Sequence, residues 1–157
     1  MDFEWIKTFT QYHIDMTRRV WDSIEHITDE QFLADHGYSQ GSIHSLIVHI
    51  ISTDRRWLAG LKNQSDVGHL NAEEYSTRAA ARKVFEDIAT EWAEYIPTLT
   101  SDDLNQHTDQ VAEPRWQILL HLVNHGTDHR ATILQKLHEL GAPTFPQDFI
   151  IWLWERK

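Results

Sequence analysis

The chain has 157 residues, 41% hydrophobic and 24% charged, with a formal net charge of −10. That length fits one domain over residues 1–157, and the composition is globular rather than disordered. Its negative charge argues against nucleic acid as a partner, and the absence of cysteine excludes disulfides, thiolate ligands and a protein-borne thiol nucleophile.

The N-terminal stretch "DFEWIKTFTQYH" is acidic and lacks an apolar core, so no secretory signal is expected. No apolar run approaches the ~18 residues of a membrane span. The absence of thiols fits a reducing cytoplasm, the expected location.

Apolar spacing is helical nearly throughout. A first helix is expected over about Phe3 to Ile27, with Ile6, Phe9, Tyr12, Ile14, Met16, Val20, Trp21 and Ile24 on one broad face. Thr28 and Gln31 then have capping-box spacing for a short helical turn. After the loop "DHGYSQGS", Ser42 is the N-cap of a second helix, which ends near Gly60. "NQSDVGHLN" reads as loop. A third helix runs from Ser76 or Thr77 to Ile96 and is stopped by Pro97. "TSDDL" carries another cap signal, and the stretch to Glu113 reads as irregular. A fourth helix starts near Pro114 and ends before Gly141 and Pro143. The apolar tail "DFIIWLWERK" is expected to dock on the bundle. Four long amphipathic helices around one core make an all-α four-helix bundle, with its topology open.

Histidine is the unusual component, at eleven residues. In "HLVNHGTDHRATI", His121, His125 and His129 fall four apart, about 40° apart around a helix. His125 and His129 lie nearer the apolar stripe of Leu119, Val123, Ile133, Leu134 and Leu137, and form the better metal-binding pair. A solvated polar flank is the plain alternative. The residue after His125 is Gly126 rather than the Glu of a zinc-protease helix. Two imidazoles need a third ligand, and the second helix offers His44 and His49, too far apart around the helix to share an ion. His44 falls within the apolar arc near the helix start, and His49 outside it; periodicity alone leaves both open.

The segments "GSIHSLIVHIISTDRRWLAGL" and "LLHLVNHGTDHRATILQKLHELGAP", in this order and spacing, resemble the DinB-like family (DinB/YfiT superfamily) of bacterial four-helix-bundle metalloproteins. The likeness rests on Ser42, His49, Trp57, the Asn124 to Arg130 stretch, Leu140 to Pro143, and Asp148 before the tail. It implies a metal triad of His49, His125 and His129, and so favours His49 over His44. Many relatives carry another histidine where this chain has Asp128, outside the triad. Relatives of this kind include bacillithiol- or mycothiol-dependent S-transferases and an isomerase, and are often homodimers.

Three neutral imidazoles suit Zn²⁺ or Ni²⁺ with an open coordination position. Because the chain has no cysteine, thiol chemistry needs a low-molecular-weight thiol co-substrate, and the expected partner is a small electrophilic molecule. Asp54 and Arg130 are the candidate catalytic residues, each with an ion-pair role as the plain alternative. Trp57 and Trp116 read as core. The competing functions are a metal-dependent hydrolase and a non-catalytic, stress-linked metal- or small-molecule-binding bundle.

Overall fold

Cap chemistry written into the sequence sets most helix starts. The computed structural model describes residues 3–156, and every regular element among them is helical: α1 (Phe3–Ile24), α2 (Asp29–Leu33), α3 (Ile43–Leu61), α4 (Arg78–Tyr95), α5 (Ser101–Leu104), α6 (Arg115–Glu139) and α7 (Phe149–Glu155). Thr28 and Thr100 form capping boxes with Gln31 and Asp103, while Ser42 and Thr77 cap α3 and α4 through their hydroxyls. Pro114 occupies the N-cap of α6 instead of its first turn. Two short 3-10 turns add to these: Ala72–Tyr75, between the stretch read as loop and the third helix, and Ile96–Thr98, which holds Pro97.

The first helix ends at Ile24 instead of Ile27. The Arg78 guanidinium donates to the carbonyls of Ile24, at 3.2 Å, and Ile27, at 2.7 Å. The Ile27 carbonyl thereby finds a partner, the Ile24 carbonyl gains a second beside Ile27 N at 3.3 Å, and the chain turns there.

Cross-helix pairs fix the topology. His49 and Trp57 of α3 meet His125 and His121 of α6 respectively, so these helices are antiparallel. Near the starts of α3 and α4, His44 bonds Tyr75 O; near their ends, Tyr95 donates to Leu61 O, so they are parallel. Arg18–Glu86 and Arg82–Asp22 make α1 antiparallel to α4. The order is therefore up, down, down, up, closed by polar pairs on the α1–α4 side. A chain joining parallel neighbours must travel back one helix length, and residues 62–77 do so along α3. Asp66 pairs with Arg56, Val67 O with Arg55, and Leu70 N with Ser52 Oγ.

Ile6, Trp21, Ile47, Phe85, Leu119 and Ile133 are among the side chains that fill the core. The tail docks on α1 as α7: Trp152 stacks edge-on against Tyr12, and its indole N–H donates to Asp15 Oδ2 at 3.1 Å. No helix among the described residues is long and apolar enough to cross a membrane.

Candidate metal centre

His49 faces α6 from α3, and His125 and His129 answer it from successive turns. One ligand nitrogen from each of the three lies within 4.8 Å of the other two. His49 Nε2 and His125 Nε2 are 3.1 Å apart. Two imidazole nitrogens on one tetrahedral Zn²⁺ sit about 3.4 Å apart, given bonds of ~2.0–2.1 Å. The closest pair is thus already at ion-sharing separation, and the widest has at most about 1.4 Å to close. The three imidazoles are therefore placed as a set able to hold one metal ion.

The electrostatics favour the protonation state that a cation needs. Burial lowers the pKa of all three imidazoles, and positive charge on neighbouring rings lowers those of His49 and His125 further. The effect is greatest at His125, pushed down to about 3 by burial and then by His129, His49, His121 and His13. Neutral imidazoles keep their lone pairs available to metal. His125 Nδ1 is buried without a hydrogen-bond partner among the described residues, so no protein acceptor holds the ring nitrogen other than the one that meets His49.

A cavity of about 410 Å³ opens beside His125, walled by Arg56, Trp57, His69, Val111 and His121 among others. His121 packs edge-on against Trp57, at 5.7 Å between ring centroids, and lines the cavity without joining the triad. Trp57, read as core from the sequence, is partly packed on the core and also forms cavity wall. Trp116 is partly buried against the core. Arg56 is held by Asp66 and lies 2.6 Å from His69 Nε2, a loop wall that sequence reasoning missed.

The other sequence candidates lie elsewhere. His44 turns toward the 3-10 turn and bonds Tyr75 O at 2.9 Å. Asp54 and Arg130 are brought together, but in the core rather than at the cavity, with 1% and 0% exposure. His13 of α1 stands between them: Nε2 is 3.0 Å from Asp54 Oδ2, and Nδ1 is 2.9 Å from Arg130 Nη1. Burial pushes Arg130 down to about 10. None of its hydrogen bonds among the described residues goes to Asp128. The sequence carried a signal for this trio, since each member occupies a core position in a three-four apolar spacing: 47, 51, 54, 58 in α3; 123, 126, 130, 133 in α6; 13, 17, 20, 24 in α1.

The chain is similar to known proteins over nearly its whole length. Protein DinB of Bacillus subtilis (strain 168) is 24% identical over 160 residues, covering 94% of this chain and 92% of that protein. A family model described as DinB family matches residues 3–156. The chain belongs to the DinB family.

Proposed function

We propose that this protein is a divalent-metal-dependent enzyme that joins a small-molecule thiol to a small electrophilic substrate. The observation that carries this reading is the convergence of His49, His125 and His129 beside a cavity of substrate size. His49, His125 and His129 hold the ion, with Zn²⁺ and Ni²⁺ the best matches to an all-imidazole set. Bound there, the cation supplies a Lewis-acid charge that favours ionisation of a thiol.

The protein's own side chains do the rest. Trp57 and Val111 give the cavity apolar surface that excludes water from the reacting groups, while Arg56, held by Asp66, places a guanidinium at its edge. The thiol comes from solution, because the chain has no cysteine. Its sulfur forms the new bond to carbon, and the leaving group departs with the bonding pair while the thiol proton is released. The reading places the protein in the cytoplasm, where small thiols stay reduced. It also carries the family expectation of a homodimer.

Elemental analysis of purified protein, followed by an electrophile screen with bacillithiol and simpler thiols, tests it. Metal-dependent, thiol-dependent turnover that is lost in His125→Ala is the expected result. Hydrolysis of esters or amides with no thiol present would make the protein a hydrolase. Metal binding without turnover would make it a binding bundle, and absence of metal binding would remove the centre altogether.

A further inference from the structure

Asp54, His13 and Arg130 come from three helices, and none lines the cavity beside the triad. Their chemistry fixes the protons. A guanidinium can only donate, so His13 Nδ1 accepts from Arg130 Nη1 at 2.9 Å. His13 Nε2 then carries the ring proton and donates to Asp54 Oδ2 at 3.0 Å. The imidazole is a neutral bridge with a carboxylate on α3 at one end and a guanidinium on α6 at the other.

Further guanidinium donors are also engaged. Arg130 Nη1 reaches Thr17 Oγ1 at 3.2 Å, Nη2 reaches Thr127 Oγ1 at 3.2 Å, and Nε reaches Gln147 Oε1 at 3.2 Å. Arg130 is thus anchored to α1 and to the segment before α7 as well as to its own helix.

The bridge sits against the triad in sequence and in space. Arg130 directly follows His129, and Asp54 lies on the helix that carries His49. Gly126, next to His125, leaves the space His13 fills: a Cβ there would stand 2.2 Å from His13 Cε1. α1 gives no imidazole to the triad, yet His13 links the two helices that do. Without it, two opposite buried charges lose contact in a low-dielectric interior, a state relieved by moving the helices or admitting water.

We propose that the Asp54–His13–Arg130 bridge sets the spacing of α3 and α6, making these three residues positioning residues for His49, His125 and His129. This rests on the metal-centre reading above. The sequence candidates Asp54 and Arg130 then act through the ligands and do not meet substrate.

Three measurements test the bridge. In ¹⁵N-labelled metal-free protein, His13 shows a pyrrole-type Nε2 and a pyridine-type Nδ1; a ring protonated on Nδ1 overturns the proposal. In the metal-free crystal structure of His13→Leu, the triad nitrogens no longer lie within 4.8 Å of one another; an unmoved triad overturns it, whatever the protein binds. In Co²⁺ titrations, His13→Leu and Asp54→Asn bind about 10–100-fold more weakly, with an altered ligand-field spectrum, as expected of groups that orient ligands from outside. His13→Gln restores parent affinity, because its amide oxygen accepts from Arg130 and its NH₂ donates to Asp54. Affinity and spectrum unchanged in both His13→Leu and Asp54→Asn also overturn the proposal. If the parent itself binds no Co²⁺, the metal-centre reading fails, and the tautomer and the triad geometry still judge the bridge.

Discussion

Gly126→Ala separates helix propensity from packing. Gly126 lies in the middle of α6, where alanine gains about 1 kcal/mol over glycine by intrinsic propensity. The structure predicts the opposite sign. The added methyl would lie 2.2 Å from His13 Cε1, 2.4 Å from His13 Nδ1 and 2.7 Å from Arg130 Nη1, against ordinary carbon contacts of about 3.5–4.0 Å. Both of those groups are buried and bonded, so neither can swing aside freely. Overpacking costs about 1–3 kcal/mol, and a buried Arg130 deprived of its His13 acceptor costs about 1–3 kcal/mol more. Less the propensity gain, the net is about 3 kcal/mol destabilising, or roughly 6–12 °C in Tm for a chain of this size. Thermal and urea denaturation of the metal-free protein, followed by circular dichroism, reads this directly. A variant as stable as the parent, or more stable, would refute the account of why glycine stands there.

The triad gives the clearest binding prediction: His49→Ala, His125→Ala and His129→Ala each weaken Zn²⁺ binding by more than about 100-fold, beyond the range of outer-sphere changes. His44→Ala leaves it unchanged, because that ring is turned to Tyr75; a competition titration with a chromophoric chelator checks both. Stability of the metal-free protein falls as pH drops from about 6.5. The unfolded chain takes up protons on His49, His125 and His129 in that range, while the folded state resists, at His125 down to about 3. Melting curves between pH 7 and pH 4 test this, and a flat Tm contradicts it. Trp152→Ala loses a buried indole and its bond to Asp15, costing about 3–5 kcal/mol. Amide exchange then accelerates first in α7, and unchanged protection there would show that Trp152 does not hold the tail.

The helices were legible because their starts are local chemistry. Thr28, Ser42, Thr77 and Thr100 each announce a cap within a few residues of sequence. The end of α1 was not, because it depends on Arg78, which is remote in sequence. The choice of topology likewise depends on pairs such as His44–Tyr75 that only the folded chain brings together. His125 and His129 were visible as neighbours one turn apart, whereas His49 and His44 could not be separated by periodicity. His49 sits at the border between the core face and the cavity side, where a hydrophobic stripe has no sharp edge. Asp54 and Arg130 were noticed for their places beside the ligands, on the helix of His49 and directly after His129, but His13 was missed. The apolar pattern was read past polar residues, although Arg130, Asp54 and His13 occupy core positions that a three-four spacing assigns to the interior. Where such polar positions recur on several helices, they mark groups that meet one another.

The central claim is that His49, His125 and His129 share one ion. Diffraction from crystals grown with Zn²⁺ or Ni²⁺, collected on both sides of the metal absorption edge, tests it most directly. The account predicts one anomalous peak about 2.0–2.1 Å from a nitrogen of each of the three rings, facing the cavity lined by Trp57 and His121. A metal peak bound elsewhere, or a triad that stays empty at saturating metal, would contradict it.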